Sequence, residues 1–401
     1  MKALRSKIVI LIIAATTFLY FTNDYGLVDI EKTAIIVAIG IDYEEEKEEY
    51  SVTAQIAVPE SSENAVDNEQ CSIEGKGKTV ADAIDSVGVN TGWYPLLSFC
   101  HIVLLGNGAI TGDVADTLSF IIRSDRIPDS ALVVACEKKA KDVLNTKTPL
   151  DNVSSFALEK VLVKDIAKSD RIASSSVKDF IKNYYSMCET SQMPLLKIIE
   201  IDDGSSKEGE QSGGGSGGGG EKKKKASIFD ATSTLFFKKG EAKMTLDSEE
   251  TQVYNLIYKN ALDSYILIDD AEVDGEKTAA VLDINEITKD MRFDFSDEKS
   301  PKFILKMNVR LGFEDLKKTQ PVKDLTPRQT IPDEILETTR KKMEKLIISA
   351  FEKGRENDCD ILHLKEKLYK FNFDKFGAYG EDILKTVELI AEINCSSEVS
   401  N

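Results

Sequence analysis

Histidine is scarce in this chain of 401 residues, and cysteine never occurs in the paired spacing that is typical of metal sites. The two histidines, His101 and His363, are far apart, and the chain contains neither a CxxC pair nor an HExxH motif. Zinc sites in proteins need several such ligands close together. The sequence therefore predicts no metal site.

The six cysteines are widely spread along the chain. They are Cys71, Cys100, Cys136, Cys188, Cys359 and Cys395. A chain of this length can form a hydrophobic core without disulfide bonds, even outside the cytoplasm. We therefore expect free thiols.

The chain also lacks an excess of basic residues. It carries 51 Lys and Arg against 69 Asp and Glu, which gives a formal net charge of -18 and a pI near 4.8. Nucleic acids and anionic lipid surfaces would be repelled by this charge, so neither is expected as a main partner. Protein and small-molecule partners remain compatible with the composition.

Matches to catalytic and cofactor-binding motifs are accidental. GxSxG and GxGxxG can both be read in the glycine run 213–220, but both motifs need a strand before the glycines and a helix after them. Asp270 begins an imitation of a calcium loop, but the twelfth position is Val281 instead of an acid. Cys100 and His101 are neighbours on a predicted strand, where successive side chains point to opposite faces. We therefore predict no catalytic residue, no cofactor and no enzymatic activity.

The N-terminal residues differ from the rest of the chain. Three cations, Lys2, Arg5 and Lys7, precede an uncharged run from Ile8 to Phe21. Cations before an apolar run stay in the cytoplasm, so the remainder is expected on the other side of a membrane. The run is slightly short for a helix that spans a bilayer, and its length also suits a secretory signal peptide. We expect an uncleaved transmembrane or signal-anchor helix, with a cleaved signal peptide as the alternative.

A change in composition divides the rest of the chain into two halves. Small polar and acidic residues lead into GGGSGGGG and then four lysines, a composition that is typical of a flexible linker. We predict an anchor or signal segment at 1–23, a first domain at 24–203 that forms one unit or two subdomains, a linker at 204–226, a second domain at 227–395 and a tail at 396–401. The linker is expected to let the second domain move relative to the first.

Hydrophobic periodicity predicts an α+β fold with several domains, in which mixed sheets pack with helices. A strand is predicted at Ala34–Ile41, and apolar residues alternate with Ser51, Thr53 and Gln55 in a second strand at Tyr50–Val58. The two strands are expected to form a hairpin with one dry face and one polar face. Thr79 is suited to the N-cap of the helix that follows. A long helix is expected from Pro332 to Gly354, with one face formed by Ile335, Leu336, Thr339, Met343, Leu346, Ile347 and Ala350. Strands and helices lack a regular βαβ rhythm, so a doubly wound nucleotide-binding fold is not expected.

Six segments, in order along the chain, resemble one family of bacterial proteins. They are DIEKTAIIVAIGIDYEEEKEEYSVTAQIAVPE at 29–60, GKTVADAIDSVG at 77–88, SFCHIVLLG at 98–106, IRSDRIPDSALVVACEKKAKDVL at 122–144, STLFFKKGEAKMTLDSEET at 233–251 and GRENDCDILHLKEKLYK at 354–370. These segments are similar to the C subunits of bacterial spore germinant receptors, the Ger(x)C family. The similarity covers nearly the whole chain beyond the N-terminal run.

The resemblance implies a non-enzymatic, membrane-anchored C subunit of a nutrient germinant receptor, which acts in receptor assembly or signal transmission during spore germination. The implied partners are the integral-membrane A and B type subunits. The implied location is the spore inner membrane, with the folded part on its outer face. Family members usually carry a lipidated cysteine after the signal peptide, but Asp24 stands near that position here. Lipidation is therefore not expected, and the N-terminal helix would supply the attachment.

A second function is compatible with the same organisation. An exported chain of two folded halves could bind a small molecule or a fragment of the spore cortex in a cleft between them. This hypothesis describes an extracytoplasmic binding module in place of a receptor subunit.

Overall fold

The computed structural model describes residues 2–22, 32–57, 71–149, 151, 153–163, 170–202, 225–258, 264–273, 276–297, 299–317 and 331–398. Within these residues the chain forms two β-sheets, with helices packed against them. The strands are β1 (Thr33–Glu44), β2 (Glu49–Ile56), β3 (Cys71–Gly77), β4 (Tyr94–Leu96), β5 (Ile102–Leu105), β6 (Leu132–Cys136), β7 (Ser175–Ser176), β8 (Thr190–Asp202), β9 (Lys225–Lys238), β10 (Glu241–Leu246), β11 (Ser264–Val273), β12 (Glu276–Asp294), β13 (Lys302–Lys317) and β14 (Glu388–Ser397). The helices are α1 (Lys2–Thr22), α2 (Val80–Thr91), α3 (Val114–Ser124), α4 (Ala140–Leu144), α5 (Ser154–Val163), α6 (Val177–Tyr184), α7 (Ser248–Tyr258), α8 (Asp333–Glu356), α9 (Leu364–Phe371), α10 (Phe373–Tyr379) and α11 (Ile383–Thr386). This mixture of sheets and helices confirms the predicted α+β class.

The first sheet has a parallel centre and antiparallel edges. Its strand order is β10-β9-β8-β6-β5-β1-β2-β3, with β4 paired to β1 and β7 paired to β6. The strands β8, β6, β5 and β1 are parallel, whereas β2, β3, β9 and β10 join by antiparallel pairing. One face packs on α2, α3 and α6, and the other packs on α4 and α5. The short apolar strand β5 is buried along its whole length because helices cover both faces.

Strand β2 departs from the prediction, because both of its faces are buried. The alternating pattern predicts that Ser51, Thr53 and Gln55 face solvent, yet their exposed fractions are only 5%, 1% and 0%. The side-chain amide of Gln55 donates hydrogen bonds to the Leu144 carbonyl at 3.1 Å and to the Ser154 hydroxyl at 3.0 Å. The expectation of a solvent-facing side is therefore wrong, because α4 and α5 cover it and supply partners that replace water.

Strands on either side of the predicted linker pair with each other. Antiparallel pairing of β8 with β9 runs from Thr190 opposite Lys238 to Asp202 opposite Lys225. Most of the predicted linker 204–226 lies outside the described residues, which stop at 202 and resume at 225. Its last two residues, 225 and 226, belong to β9, so the prediction that they are linker is wrong. The two strands that flank the gap belong to one sheet. This pairing contradicts the expected free movement of the second half about the linker. The domain bounds 24–203 and 227–395 stay a prediction.

Strand β9 connects the core of the first sheet to the core of the second. Phe237 packs edge-on against Phe180 with ring centroids 5.3 Å apart, and its neighbour Phe236 packs edge-on against Tyr254 at the same separation. Phe237 belongs to the core of the first sheet, and Phe236 belongs to the core of the second. Because successive side chains on a strand point to opposite faces, one strand holds the two cores together.

The second sheet has the strand order β11-β12-β13-β14. Pairing is antiparallel except between β13 and β14, which are parallel. Helix α8 packs on one face of this sheet. Of the predicted apolar face, Leu336 and Leu346 are half-buried, and five side chains are fully buried: Ile335, Thr339, Met343, Ile347 and Ala350. The helix does not end at Gly354 as predicted but continues to Glu356. A side chain at Gly354 would place its Cβ 2.7 Å from the Cys359 carbonyl, so this glycine allows close packing of the following chain.

The N-terminal run forms α1, and its described side chains are exposed. Lys7 and Ile8 are exposed, and so are all residues from 10 to 20. Lys2, Arg5 and Phe21 lie on the same helix, but their side chains lie outside the described residues, as does Asp24. No helix in the described ranges combines the length and the apolar character that crossing a bilayer requires.

Candidate functional site

A cleft of about 700 Å³ opens where the first sheet meets the C-terminal helices. We call it the junction cleft. Three parts of the chain line it: the residues before β8, the turn between β9 and β10, and the segment from the end of α8 to α11. Most of its lining side chains are charged, and both signs are present. The charged residues are Glu189, Lys238, Lys239, Glu241, Lys243, Glu356, Asp358, Asp360, Lys365, Glu381 and Lys385.

Lys238 links the three parts at the wall of the junction cleft. Its ammonium donates a hydrogen bond to the Cys188 carbonyl at 3.0 Å. It also lies 3.7 Å from a carboxylate oxygen of Glu189 and 3.8 Å from one of Asp358. The Lys238 side chain is only 18% exposed, so these partners are its principal charge compensation. The cleft wall is therefore held together by contacts between residues from both halves of the chain.

Asp360 joins the halves at a deeper level. Its carboxylate accepts hydrogen bonds from the main-chain N–H groups of Leu364 at 2.9 Å and Lys365 at 3.0 Å, which satisfies the first turn of α9. Its own N–H donates to the Thr190 hydroxyl on β8 at 3.1 Å. The residue is 4% exposed. A buried acid thus fixes the start of α9 against the first sheet.

Cys188, His363 and Glu366 lie together beside Asp360. Their sulfur, imidazole nitrogen and carboxylate oxygen are all within 4.8 Å of one another. Burial raises the pKa of the Cys188 thiol, and the Asp360 charge raises it further. Burial lowers the pKa of the His363 imidazole. The Glu366 carboxylate has a lowered pKa because Lys370 donates a hydrogen bond to it at 2.6 Å.

This cluster was not predicted, because its members are far apart in sequence. Cys188 precedes β8, whereas His363 and Glu366 stand at the start of α9, three residues apart. The only local signal is the i, i+3 spacing of an imidazole and a carboxylate, which places both on one side of a helix. That spacing occurs often without a ligand.

The other predicted features of cysteine and histidine are confirmed. All six cysteines are free. Cys100 is fully buried whereas His101 is exposed, so their side chains diverge as predicted.

Two family models match the two halves of the chain. Residues 26–201 match the model described as "Spore germination protein N-terminal domain", and residues 232–399 match "Spore germination B3/ GerAC like, C-terminal". The chain belongs to the Ger(x)C family of spore germination proteins. The resemblance of the six sequence segments is thereby confirmed. No curated protein matches the chain.

The fold of this Ger(x)C protein is similar to that in the "Crystal Structure of the GerBC protein". The TM-score is 0.51 at 15% sequence identity, and the match covers 92% of this chain and 99% of the other. At this identity the likeness concerns the fold alone. Nearly the full length of both chains therefore shares one arrangement of sheets and helices.

Proposed function

We propose that the chain is the C subunit of a nutrient germinant receptor and acts without enzymatic activity in receptor assembly or signal transmission. The observation that carries this proposal is the match of both halves, in order, to the two domain models of one spore germination family. Its partners would be the integral-membrane A and B type subunits. Contacts between the halves, through Lys238 and Asp360, support a subunit that docks as one body.

The proposed location is the outer face of the spore inner membrane, with attachment through α1. The exposure of its apolar side chains supports this, since Leu11 is 71% exposed and Ile10 is 63% exposed. Lys2, Arg5 and Lys7 would stay on the cytoplasmic side, with Ile8 to Phe21 in the apolar layer. Asp24 stands near the position of the family cysteine, so lipidation is not expected there. Helix α1 is therefore the proposed attachment.

Membrane attachment is tested by fractionation of spores that carry the full chain or a chain without residues 2–22. The full chain should sediment with the inner membrane, and the truncated chain should be soluble. Mass spectrometry of the mature protein separates the two forms of the N-terminus. A cleaved signal peptide removes about 2 kDa, whereas an uncleaved anchor leaves the mass intact.

We propose that the integral-membrane partner contacts an apolar surface near the start of β1. Val89 is 83% exposed, Trp93 49% and Tyr94 46%. Tyr94 begins β4 and pairs with Thr33 of β1. Thr33 follows the end of α1 by eleven residues, which extend over at most about 40 Å. The surface therefore lies within reach of the membrane segment, and exposed apolar side chains of this size are typical of interaction sites.

Receptor assembly is tested by co-purification from spore membranes. The chain should retain both integral subunits, and a Val89→Ser, Trp93→Ser double variant should retain less of them. An Ile348→Ser variant serves as the control, because Ile348 is an exposed apolar residue on α8, outside the proposed contact surface. Normal nutrient germination after deletion of the chain and any paralogues would contradict the proposal.

The junction cleft favours the second candidate function, binding of a small molecule or a cortex fragment. Its volume of about 700 Å³ lies within the range of known ligand sites, but its lining is charged where most such sites are apolar. Calorimetry of residues 24–401 with nutrient germinants and cortex fragments discriminates the two functions. Saturable heat of binding that is lost in a Lys238→Met variant would favour the binding module. No saturable heat with the parent chain would favour the receptor subunit.

A further inference from the structure

Three side chains of different chemistry converge at the interface between the halves of the chain. We call Cys188, His363 and Glu366 the Cys-His-Glu cluster. Among the described residues, these three side chains form a group of potential metal ligands. Their donor atoms all lie within 4.8 Å of one another. Cys188 comes from the segment between α6 and β8, and the other two flank the first turn of α9.

Thiolate, imidazole and carboxylate are the three side-chain ligands that Zn²⁺ commonly takes. Bond lengths of 2.3 Å to sulfur and about 2.0–2.2 Å to nitrogen and oxygen place the donors of a tetrahedral site roughly 3.4–3.6 Å apart. In the cluster, His363 Nδ1 and Glu366 Oε2 are 3.8 Å apart. Since all donor atoms lie within 4.8 Å of one another, no pair has to approach by more than about 1.4 Å, which rotation of the side chains can supply. We propose that the Cys-His-Glu cluster binds one Zn²⁺ ion, with water as the fourth ligand.

The carboxylate of Glu366 is already oriented for this role. Its Oε1 accepts a hydrogen bond from Lys370 at 2.6 Å, and its Oε2 is the oxygen that faces the imidazole. A carboxylate whose one oxygen is held by another residue can donate its second oxygen to a metal ion with little further ordering. Lys370 can therefore keep its hydrogen bond to Oε1 while Oε2 of Glu366 binds the metal ion.

The main chain at His363 adds a second constraint. His363 has a φ of 52°, in the left-handed region that non-glycine residues adopt infrequently. This conformation places the imidazole at the start of α9 beside Cys188, which is 1% exposed. Unusual main-chain geometry of this kind is concentrated at functional sites.

The charges around the cluster partly balance each other. The acid Asp360 acts on both Cys188 and His363, and the cations Lys367 and Lys182 act on His363. The Lys367 ammonium donates a hydrogen bond to the Leu362 carbonyl and also lies 5.3 Å from the centre of the Tyr258 ring. On binding, the Cys188 thiol would lose its proton to solvent and the zinc–sulfur bond would form. The negative charges of the Cys188 thiolate and the Glu366 carboxylate then balance the charge of the ion. The Asp360 carboxylate balances the positive charge of Lys367.

The consequence would be a metal cross-link between the two halves. Cys188 belongs to the first family domain, and His363 and Glu366 belong to the second. A metal ion that binds the folded chain in preference to the unfolded chain stabilises it. This inference does not depend on the proposed receptor function.

The test uses the full chain, purified in detergent, stripped with a chelator and titrated with ZnCl₂ against a chromophoric competitor. We expect one Zn²⁺ per chain and a rise in the melting temperature on loading. Titration with Co²⁺ should give the charge-transfer absorption of a thiolate–cobalt bond. His363→Asn, which tolerates a positive φ, and Glu366→Gln should each lower the Zn²⁺ affinity at least tenfold, because loss of a residue that only orients a ligand costs about 10–100-fold.

Matched controls use the other histidine and another cysteine. His101→Gln and Cys395→Ser should leave the stoichiometry and affinity unchanged. Cys188→Ser should abolish the thiolate–cobalt absorption, and if this buried substitution prevents folding, the more exposed His363 and Glu366 variants decide the question. The proposal is overturned if the stripped chain takes up no stoichiometric Zn²⁺, or if folded His363→Asn binds it as tightly as the parent chain.

Discussion

A single methyl group at Gly106 should weaken the attachment of α4 to the first sheet. Gly106 follows β5 and donates its N–H to the Ile41 carbonyl on β1 at 2.8 Å. A Cβ at this position would lie 1.8 Å from Oδ1 of Asp42 and 3.0 Å from the main-chain nitrogen of Ala140. The Asp42 carboxylate would have to move by more than 1 Å to restore normal contact distances. A Gly106→Ala substitution therefore acts on Asp42 more than on the main chain.

The magnitude follows from what Asp42 holds. Its two carboxylate oxygens accept hydrogen bonds from the N–H groups of Ala140 at 2.8 Å and Lys141 at 3.0 Å, in the first turn of α4. Asp42 is 6% exposed, so water replaces these bonds poorly. A hydrogen bond to a charged group contributes about 1.5–3 kcal/mol, and a buried N–H without a partner costs about 1–3 kcal/mol. We expect Gly106→Ala to lower the free energy of unfolding by about 2–4 kcal/mol.

Urea unfolding, followed by circular dichroism, measures this loss. Gly112→Ala is the matched control, because nothing lies within 4 Å of a Cβ at that position. It should change the free energy of unfolding by less than about 1 kcal/mol. In a double variant with Asp42→Ala, the loss should stay close to that of Asp42→Ala alone, since both substitutions remove the same hydrogen bonds. Equal stability of Gly106→Ala and Gly112→Ala, or strict additivity with Asp42→Ala, would refute the reasoning.

Three further substitutions test other contacts. Glu250 on α7 is buried and accepts a hydrogen bond from Lys353 on α8 at 2.6 Å. Glu250→Ala should therefore lower the free energy of unfolding in urea by about 1–3 kcal/mol. An unchanged unfolding midpoint would count against a role of Glu250 in joining α7 to α8. The Lys141 ammonium lowers the pKa of Glu74 from its usual 4.5, so this ion pair stabilises the fold above pH 4.5 and its contribution is lost as the pH falls through the lowered pKa. Glu74→Gln should therefore flatten the pH dependence of urea stability below about pH 5, and an identical slope would contradict the assignment. Gly240 has a φ of 79°, and a Cβ there would lie 1.8 Å from the carboxylate of Asp113, which caps α3. Gly240→Ala should therefore cost about 1–3 kcal/mol and lower the melting temperature, and an unchanged melting temperature in thermal unfolding would contradict this.

Local signals predicted elements well where one residue type decides the geometry. The Thr79 hydroxyl accepts the Asp82 N–H at 3.2 Å, as the predicted N-cap of α2 requires. The apolar stripe of α8 from Ile335 to Ala350 is buried, because its spacing matches the helical repeat. By contrast, Gly354 lies within α8, since its function there is close packing against Cys359 and not helix termination. Composition cannot separate these two uses of glycine.

Long-range contacts explain what the sequence could not show. The polar side of β2 reads as solvent-facing, but α4 and α5, about a hundred residues later, cover it and hydrogen-bond Gln55. The cluster of Cys188 with His363 and Glu366 has the same origin, because it exists only after the two halves have folded against each other. Metal-ligand spacing in a sequence detects sites on one hairpin or helix, and this one spans both halves of the chain.

The antiparallel pairing of β8 with β9 makes the covalent connection between the halves dispensable once the protein has folded. Main-chain hydrogen bonds along β8, from Thr190 to Asp202, hold the two halves of the chain together. The packing of Phe236 and Phe237 in the two cores adds to this. Protease cleavage within residues 203–224 is therefore expected to leave two fragments that stay bound to each other. Germination proteins of this kind could then vary the length and composition of this segment without moving either sheet, since the entropy of loop closure rises only slowly with length.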